Sequence, residues 1–145
     1  MVKVYLLDTG FVTLCLTSNL PEKWIRPWKE IQKGLKAGCV IEPIIAESYY
    51  QLLRKHGLNK EEANESILRF KAVKGISIMG IDNNTAILAG YYRIRFKKFS
   101  LSLVDCFLLA AGYKNKNEAK IYTTDEKLKI ASKEISIPCD YLPIR

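Results

Sequence analysis

Short apolar runs alternate along this chain with segments of helical periodicity, and that alternation limits the fold more than any other feature. "VKVYLLD" is followed by a helical segment over residues 9–18, and "CVIEP" by "IIAESYYQLLRKHG". "GISIMGI" precedes a helix over residues 83–98, and "KIYTT" one from Asp125 to about Lys133, before a last extended stretch, "SIPCDYL". Strands buried on both faces read as near-continuous apolar runs, and helices placed between strands make the pairing parallel. The sequence therefore predicts one α/β domain over residues 1–145, with a mostly parallel sheet of about five strands and helices on both faces. At 145 residues the chain can bury one substantial core.

The helical segments have faces that can be assigned. Trp24, Trp28, Ile31 and Leu35 recur at spacings of four, three and four, a stripe expected to face the core, while Pro27 predicts a kink or a restart within it. Pro43 opens the next helix and Gly57 closes it. Asn59 with Glu62 marks another start, with Ala63, Ile67 and Phe70 on its apolar face. Over residues 83–98, Ile87, Tyr91 and Ile94 are expected to point inward. Ser102 with Asp105 fits a capping box that opens the apolar helix "SLVDCFLLAAGYK".

Charge and cysteine usage narrow the function classes. Lys and Arg number 23 against 15 Asp and Glu, so 23 − 15 = +8, an excess that suits an anionic partner such as nucleic acid. Cys15, Cys39, Cys106 and Cys139 form no C-x-x-C pair, which argues against zinc and redox motifs and for free thiols in a reducing compartment. The N-terminus enters a strand-like run without the features of a secretory signal, and no apolar run approaches the ~18 residues of a membrane span. A cytoplasmic protein without membrane contact is expected. His56, alone near a helix end, reads as filler.

Four acids occupy equivalent places. Asp8 ends the first strand and Asp125 follows "KIYTT"; Glu47 and Asp105 lie about one turn into their helices. Ligands of open α/β sheets bind beyond the carboxyl ends of the strands. Singly, each acid has an ordinary reading: Asp8 and Asp125 as helix caps, Asp105 in a capping box, Glu47 on a solvated face. Gathered, two carboxylates 4 Å apart repel by roughly 1 kcal/mol in water and roughly 4 kcal/mol at an effective dielectric of 20. A divalent cation relieves that repulsion, and an all-oxygen donor set suits Mg²⁺ or Mn²⁺ rather than zinc.

"YLLDTGFV", "PIIAESYYQLL", "SLSLVDCFLLAAG" and "IYTTDEKL", in this order and spacing, resemble the PIN-domain family, most closely the small ribonucleases that serve as VapC-type toxins. The resemblance covers nearly the whole chain. It implies Mg²⁺- or Mn²⁺-dependent hydrolysis of RNA phosphodiester bonds, with Asp8 and Asp105 as direct ligands and Asp125 completing the site directly or through water. Glu47 would bind metal or take a proton from the attacking water. Thr123 resembles the group that supports the first acid by hydrogen bonding, and Thr9 and Ser102 are further supporting candidates. One departure is Gly10, where relatives often carry Asn. Glu126 is not counted as a ligand, because neighbouring side chains on a helix diverge by about 100°.

The same resemblance implies an RNA substrate, an antitoxin partner and a homodimer, with the early helices as contact surfaces. In "YYRIRFKKF", Arg93, Arg95, Lys97 and Lys98 read either as a rim that tracks phosphates or as a solvated helix face. Other enzymes of similar topology fall away: a haloacid dehalogenase-type phosphatase needs a second Asp where Gly10 stands, and neither G-x-G-x-x-G nor a phosphate-binding G-x-x-x-x-G-K-[ST] loop occurs. The alternative is a non-catalytic PIN-like RNA-binding or assembly module.

Overall fold

A computed structural model describes residues 1–144, and in it the five extended runs become five parallel strands. In chain order the elements are β1 (Val4–Leu7), α1 (Thr9–Leu16), α2 (Glu22–Gln32), β2 (Gly38–Ile41), α3 (Glu42–Arg54), α4 (Lys60–Lys71) and β3 (Ile76–Met79). There follow α5 (Asn83–Arg95), a 3₁₀ turn (Lys97–Phe99), α6 (Leu103–Lys114), β4 (Ala119–Thr123), α7 (Glu126–Glu134) and β5 (Cys139–Tyr141). The sheet order is β3-β2-β1-β4-β5, so the chain winds outward from β1, returns to its other side, and winds outward again. The order reverses between β1 and β4, and a crevice opens at the carboxyl ends of strands at such a point.

Both faces of the sheet are covered. On one, Tyr122 of β4 meets Trp24 and Phe11 at ring-centroid distances of 4.8 and 5.9 Å. On the other, a Cβ at Gly112 of α6 would lie 3.2 Å from Ile121 and from Ile137, so a small residue there lets the helix press onto the sheet. Leu6, Leu7, Val40, Ile41 and Ile121 are wholly buried between these layers. The capping boxes of α4 and α6 form as expected.

Three expectations about the helices need correction. α2 runs unbroken through Pro27, and the carbonyl that the missing N–H leaves free belongs to exposed Lys23, where water can satisfy it. Its stripe is covered only in part: Trp24 and Ile31 are buried and Trp28 stacks on Phe70 at 5.7 Å, but Leu35 is exposed because Gly34, at φ +77°, turns the chain away after the helix ends.

The third concerns α5, which ends at Arg95 and turns its other stripe inward. Thr85, Ala89, Tyr92 and the following Phe96 are buried, whereas Ile87, Tyr91 and Ile94 are 72%, 56% and 76% exposed. Periodicity identifies apolar stripes but does not choose between two of them. The small Ala89 and the ring contacts of Tyr92 with Phe96 (5.5 Å) and Tyr113 (6.4 Å) decide it here. No helix among the described residues is long and apolar enough to cross a membrane, and all four cysteines are free thiols.

Candidate active site

Asp8 follows β1 directly, and its backbone N–H donates to the Tyr122 carbonyl at 3.1 Å, which extends the β1–β4 ladder by one bond. Its carboxylate is buried and fully engaged. Oδ1 accepts from the Phe11 N–H at 2.7 Å; Oδ2 accepts from the Thr123 hydroxyl at 2.5 Å and from the Thr124 N–H at 3.2 Å. Thr123, itself buried, receives the Asp125 N–H on its hydroxyl oxygen at 2.9 Å. A continuous relay of hydrogen bonds thus joins the start of α7 to the end of β1. Burial pushes the Asp8 carboxyl up to about 6; the Thr123, Phe11 and Thr124 bonds pull it down, and the charge of Asp105 adds to the rise.

The other three acids stand on helices around this anchor. Asp105 occupies the first turn of α6, where its N–H donates to the Ser102 hydroxyl at 3.1 Å and its Oδ2 accepts from the Ser102 N–H at 3.3 Å. Its carboxyl lies above the usual range: burial is the main cause, the Ser102 bonds oppose it, and the charges of Asp125 and Glu47 raise it further. Asp125 caps α7 by accepting from the Lys127 N–H at 2.9 Å. Glu47, half-buried on α3, accepts from the Gln51 amide at 2.9 Å.

Asp8, Glu47, Asp105 and Asp125 therefore share one electrostatic neighbourhood. They do not form a finished coordination shell: among the described residues, no group of three or more His, Cys, Asp or Glu side chains is drawn together closely enough to hold a metal ion. The donor chemistry, carboxylate oxygens alone, fits a hard divalent cation. The hydrogen bonds of each helix-borne acid's carboxylate are made within its own helix and cap.

The family model of the PIN domain matches residues 5–134. The chain belongs to the PIN-domain family. Solved structures with the same fold include VapBC2 from Rickettsia felis bound to a promoter DNA fragment, at a TM-score of 0.70 and 15% identity, covering 95% of this chain and 98% of that one. VapC20 from Mycobacterium tuberculosis, a sarcin–ricin loop cleaving toxin, superposes at 0.68 with 15% identity over 88% and 94% of the two chains. The DNA-bound VapBC of Salmonella typhimurium does so at 0.69 with 17% identity over 97% and 98%. A search of curated protein sequences returned no match.

Within this PIN domain the remaining candidates separate. Ser102 and Thr123 touch site acids. Thr9 opens α1, and its hydroxyl makes no hydrogen bond among the described residues. Arg93 and Arg95 lie in the last turn of α5 and Lys97 and Lys98 on the 3₁₀ turn, all exposed. Lys98 is engaged elsewhere, with Glu134 at 3.6 Å. Arg93 lies toward the acids: its charge offsets part of the burial-driven rise of the Cys106 thiol, next to Asp105.

Two residues absent from the sequence-based set also belong here. Gln51 holds Glu47 from one turn on, an i, i+4 pairing that helical spacing makes findable. Thr124 donates its N–H to Asp8, and its hydroxyl occupies the space where a Cβ at position 10 would fall, so a larger residue there would have to displace that side chain.

Proposed function

We propose that this PIN domain, taken as one unit over residues 1–145, is an Mg²⁺- or Mn²⁺-dependent endoribonuclease and the toxin of a toxin–antitoxin pair. The observation that carries the reading is the buried Asp8 carboxylate, fixed by three donors at the topological switch point and within the field of Asp105. A free-standing charge there is unfavourable, and a cation is the simplest group that makes it favourable.

Asp8 and Asp105 would hold the ion, with Asp125 completing the set. When bound, it supplies a lowered pKa for water and charge neutralisation at the scissile phosphate. Thr123 orients Asp8 by donating to one oxygen while fixing the Asp125 backbone. Glu47, aligned by Gln51, takes the proton of the attacking water. Arg93 and Arg95 offset the repulsion between the acidic crevice and the RNA backbone.

Two protein partners complete the proposal. A groove of about 410 Å³ between α1, α2 and α4 is lined by Leu20, Ile25, Trp28 and Phe70 together with Ser18, Gln32, Ser66 and Arg69, a mixed surface suited to an amphipathic antitoxin segment. A second copy of the chain is the other partner.

One observation favours the non-catalytic module instead: Asp8, Asp105 and Asp125 each accept a backbone hydrogen bond at a helix start, a role that needs no metal. Cleavage separates the readings. Purified protein is incubated with cellular RNA and Mn²⁺, and the cut ends are sequenced beside an Asp105→Asn control and a chelator control. The nuclease gives wild-type ends absent from both controls; identical profiles leave the module.

A further inference from the structure

We propose that the free edge of β5 is a docking site for an extended acidic segment of a partner protein, which joins the five-stranded sheet as a sixth strand. None of the four crevice acids lines this surface, so the inference stands apart from the nuclease reading.

β5 borders the sheet and is paired on one side only. The Ile121 N–H donates to the Pro138 carbonyl at 2.9 Å and the Leu142 N–H to the Thr123 carbonyl at 3.1 Å, so Pro138, Asp140 and Leu142 turn their backbone groups toward β4. The intervening residues of a strand turn theirs the other way. Cys139 and Tyr141 therefore present N–H and C=O groups outward, and no loop or side chain meets them among the described residues. Pro143, two residues after Tyr141, has no N–H to offer, which restricts the edge to a short segment rather than open-ended growth.

Two adjoining hollows follow this edge. One of about 330 Å³ lies among Trp24, Tyr122, Lys129 and Tyr141, and the next, of about 300 Å³, among Lys129, Lys133 and Pro138. Lys129 and Cys139 line both, so the hollows form one trough along β5.

Charge selects the occupant. Lys129 and Lys133 are exposed on α7, and neither has a carboxylate partner among the described residues; Lys129 lies over the Tyr141 ring at 5.3 Å. Asp140, the acid of the strand itself, is already paired with Lys120 at 3.0 Å. Residues four apart on a helix are separated by about 6 Å along its axis, and same-face residues of a strand by about 6.6 Å, so two acids at alternate positions of the segment match the two lysines.

Trp24 supplies a second observation. It lines the same trough and is 1% exposed, yet its indole N–H has no acceptor among the described residues. Buried donors are seldom left unpaired, and an oxygen-bearing side chain between the two acids, on the other face of the segment, provides the acceptor. RNA fits this edge less well, because the outward carbonyl oxygens of Cys139 and Tyr141 repel phosphate.

Amide NMR on the full-length chain tests the docking with the end-blocked peptide Thr-Glu-Thr-Glu-Thr. Saturating peptide is expected to slow hydrogen exchange at the Cys139 and Tyr141 amides by about tenfold or more and to shift the Trp24 indole N–H resonance. Lys129→Glu/Lys133→Glu should weaken binding by about tenfold while the melting temperature holds. No binding at millimolar peptide, binding without protection of the two amides, or equal binding by the variant overturns the proposal. Equal protection by a 2′-O-methyl trinucleotide of the same charge also overturns it, and gives the edge to RNA.

Discussion

Asp8 and Glu47 carry the same functional group, and the fold holds them in opposite ways. Asp8 hangs from sheet backbone, is buried, and has both oxygens engaged by donors from α1 and from the end of β4. Glu47 rides a helix, is half-buried, and is tied by a single side-chain amide of that helix. The contrast separates an anchor, whose position is fixed at the cost of burying charge, from a rim that can adjust to what enters the crevice. Asp105 lies between these limits, buried enough to be perturbed but held only by its own capping box.

The largest expected effect falls on the acids themselves. Asp8→Asn and Asp105→Asn should each lower RNA cleavage by about a thousandfold, roughly 4 kcal/mol of transition-state stabilisation. Single-turnover assays in Mn²⁺ measure this, and a much smaller loss at Asp8 than at Asp105 would break the distinction between anchor and rim.

Stability against pH sharpens the same contrast. The Asp8 carboxyl rises from 3.8 to about 6 on folding, so between those values the folded chain binds a proton that the unfolded chain releases. Protonation of Asp8 therefore favours the fold: its contribution to stability is greatest below about 3.8, falls as pH rises through about 6, and is level above it. The difference in unfolding free energy between wild type and Asp8→Asn, measured with chelator present, should change by roughly 3 kcal/mol across that interval. A flat difference would mean that Asp8 is not buried as charge.

Thr123→Val comes next. It removes the hydroxyl that donates to Asp8 and accepts from the Asp125 N–H, and should lower stability by about 2 kcal/mol at neutral pH, while Thr123→Ser retains most of it. Loss of a donor to the carboxylate also moves the Asp8 midpoint upward, which the same melts detect. Smallest is Gln51→Met. It frees Glu47 and eliminates a buried carbonyl oxygen that has no partner, so cleavage should fall by less than about tenfold while stability holds steady.

That the four acids share a neighbourhood was legible in the sequence, because their placement follows from strand ends. An acid after "VYLL" and another after "KIYTT" lie beside each other once β1 and β4 pair, and Thr123 precedes Asp125 by the two residues its relay needs. The outward face of α5 was not legible, because Ile87, Tyr91 and Ile94 repeat with the same period as Thr85, Ala89 and Tyr92. Only tertiary packing against α6 selects between them. Thr124 was hidden for a different reason: its contribution comes through a backbone N–H and through the volume over Gly10, and neither leaves a mark in residue type.

Binding of Mn²⁺ tests the central claim most directly. In thermal unfolding at a hundredfold excess over its dissociation constant, Mn²⁺ should stabilise wild type by about 2.7 kcal/mol and leave Asp8→Asn unmoved. The same response from both proteins, or none from either, would contradict a cation site built on Asp8.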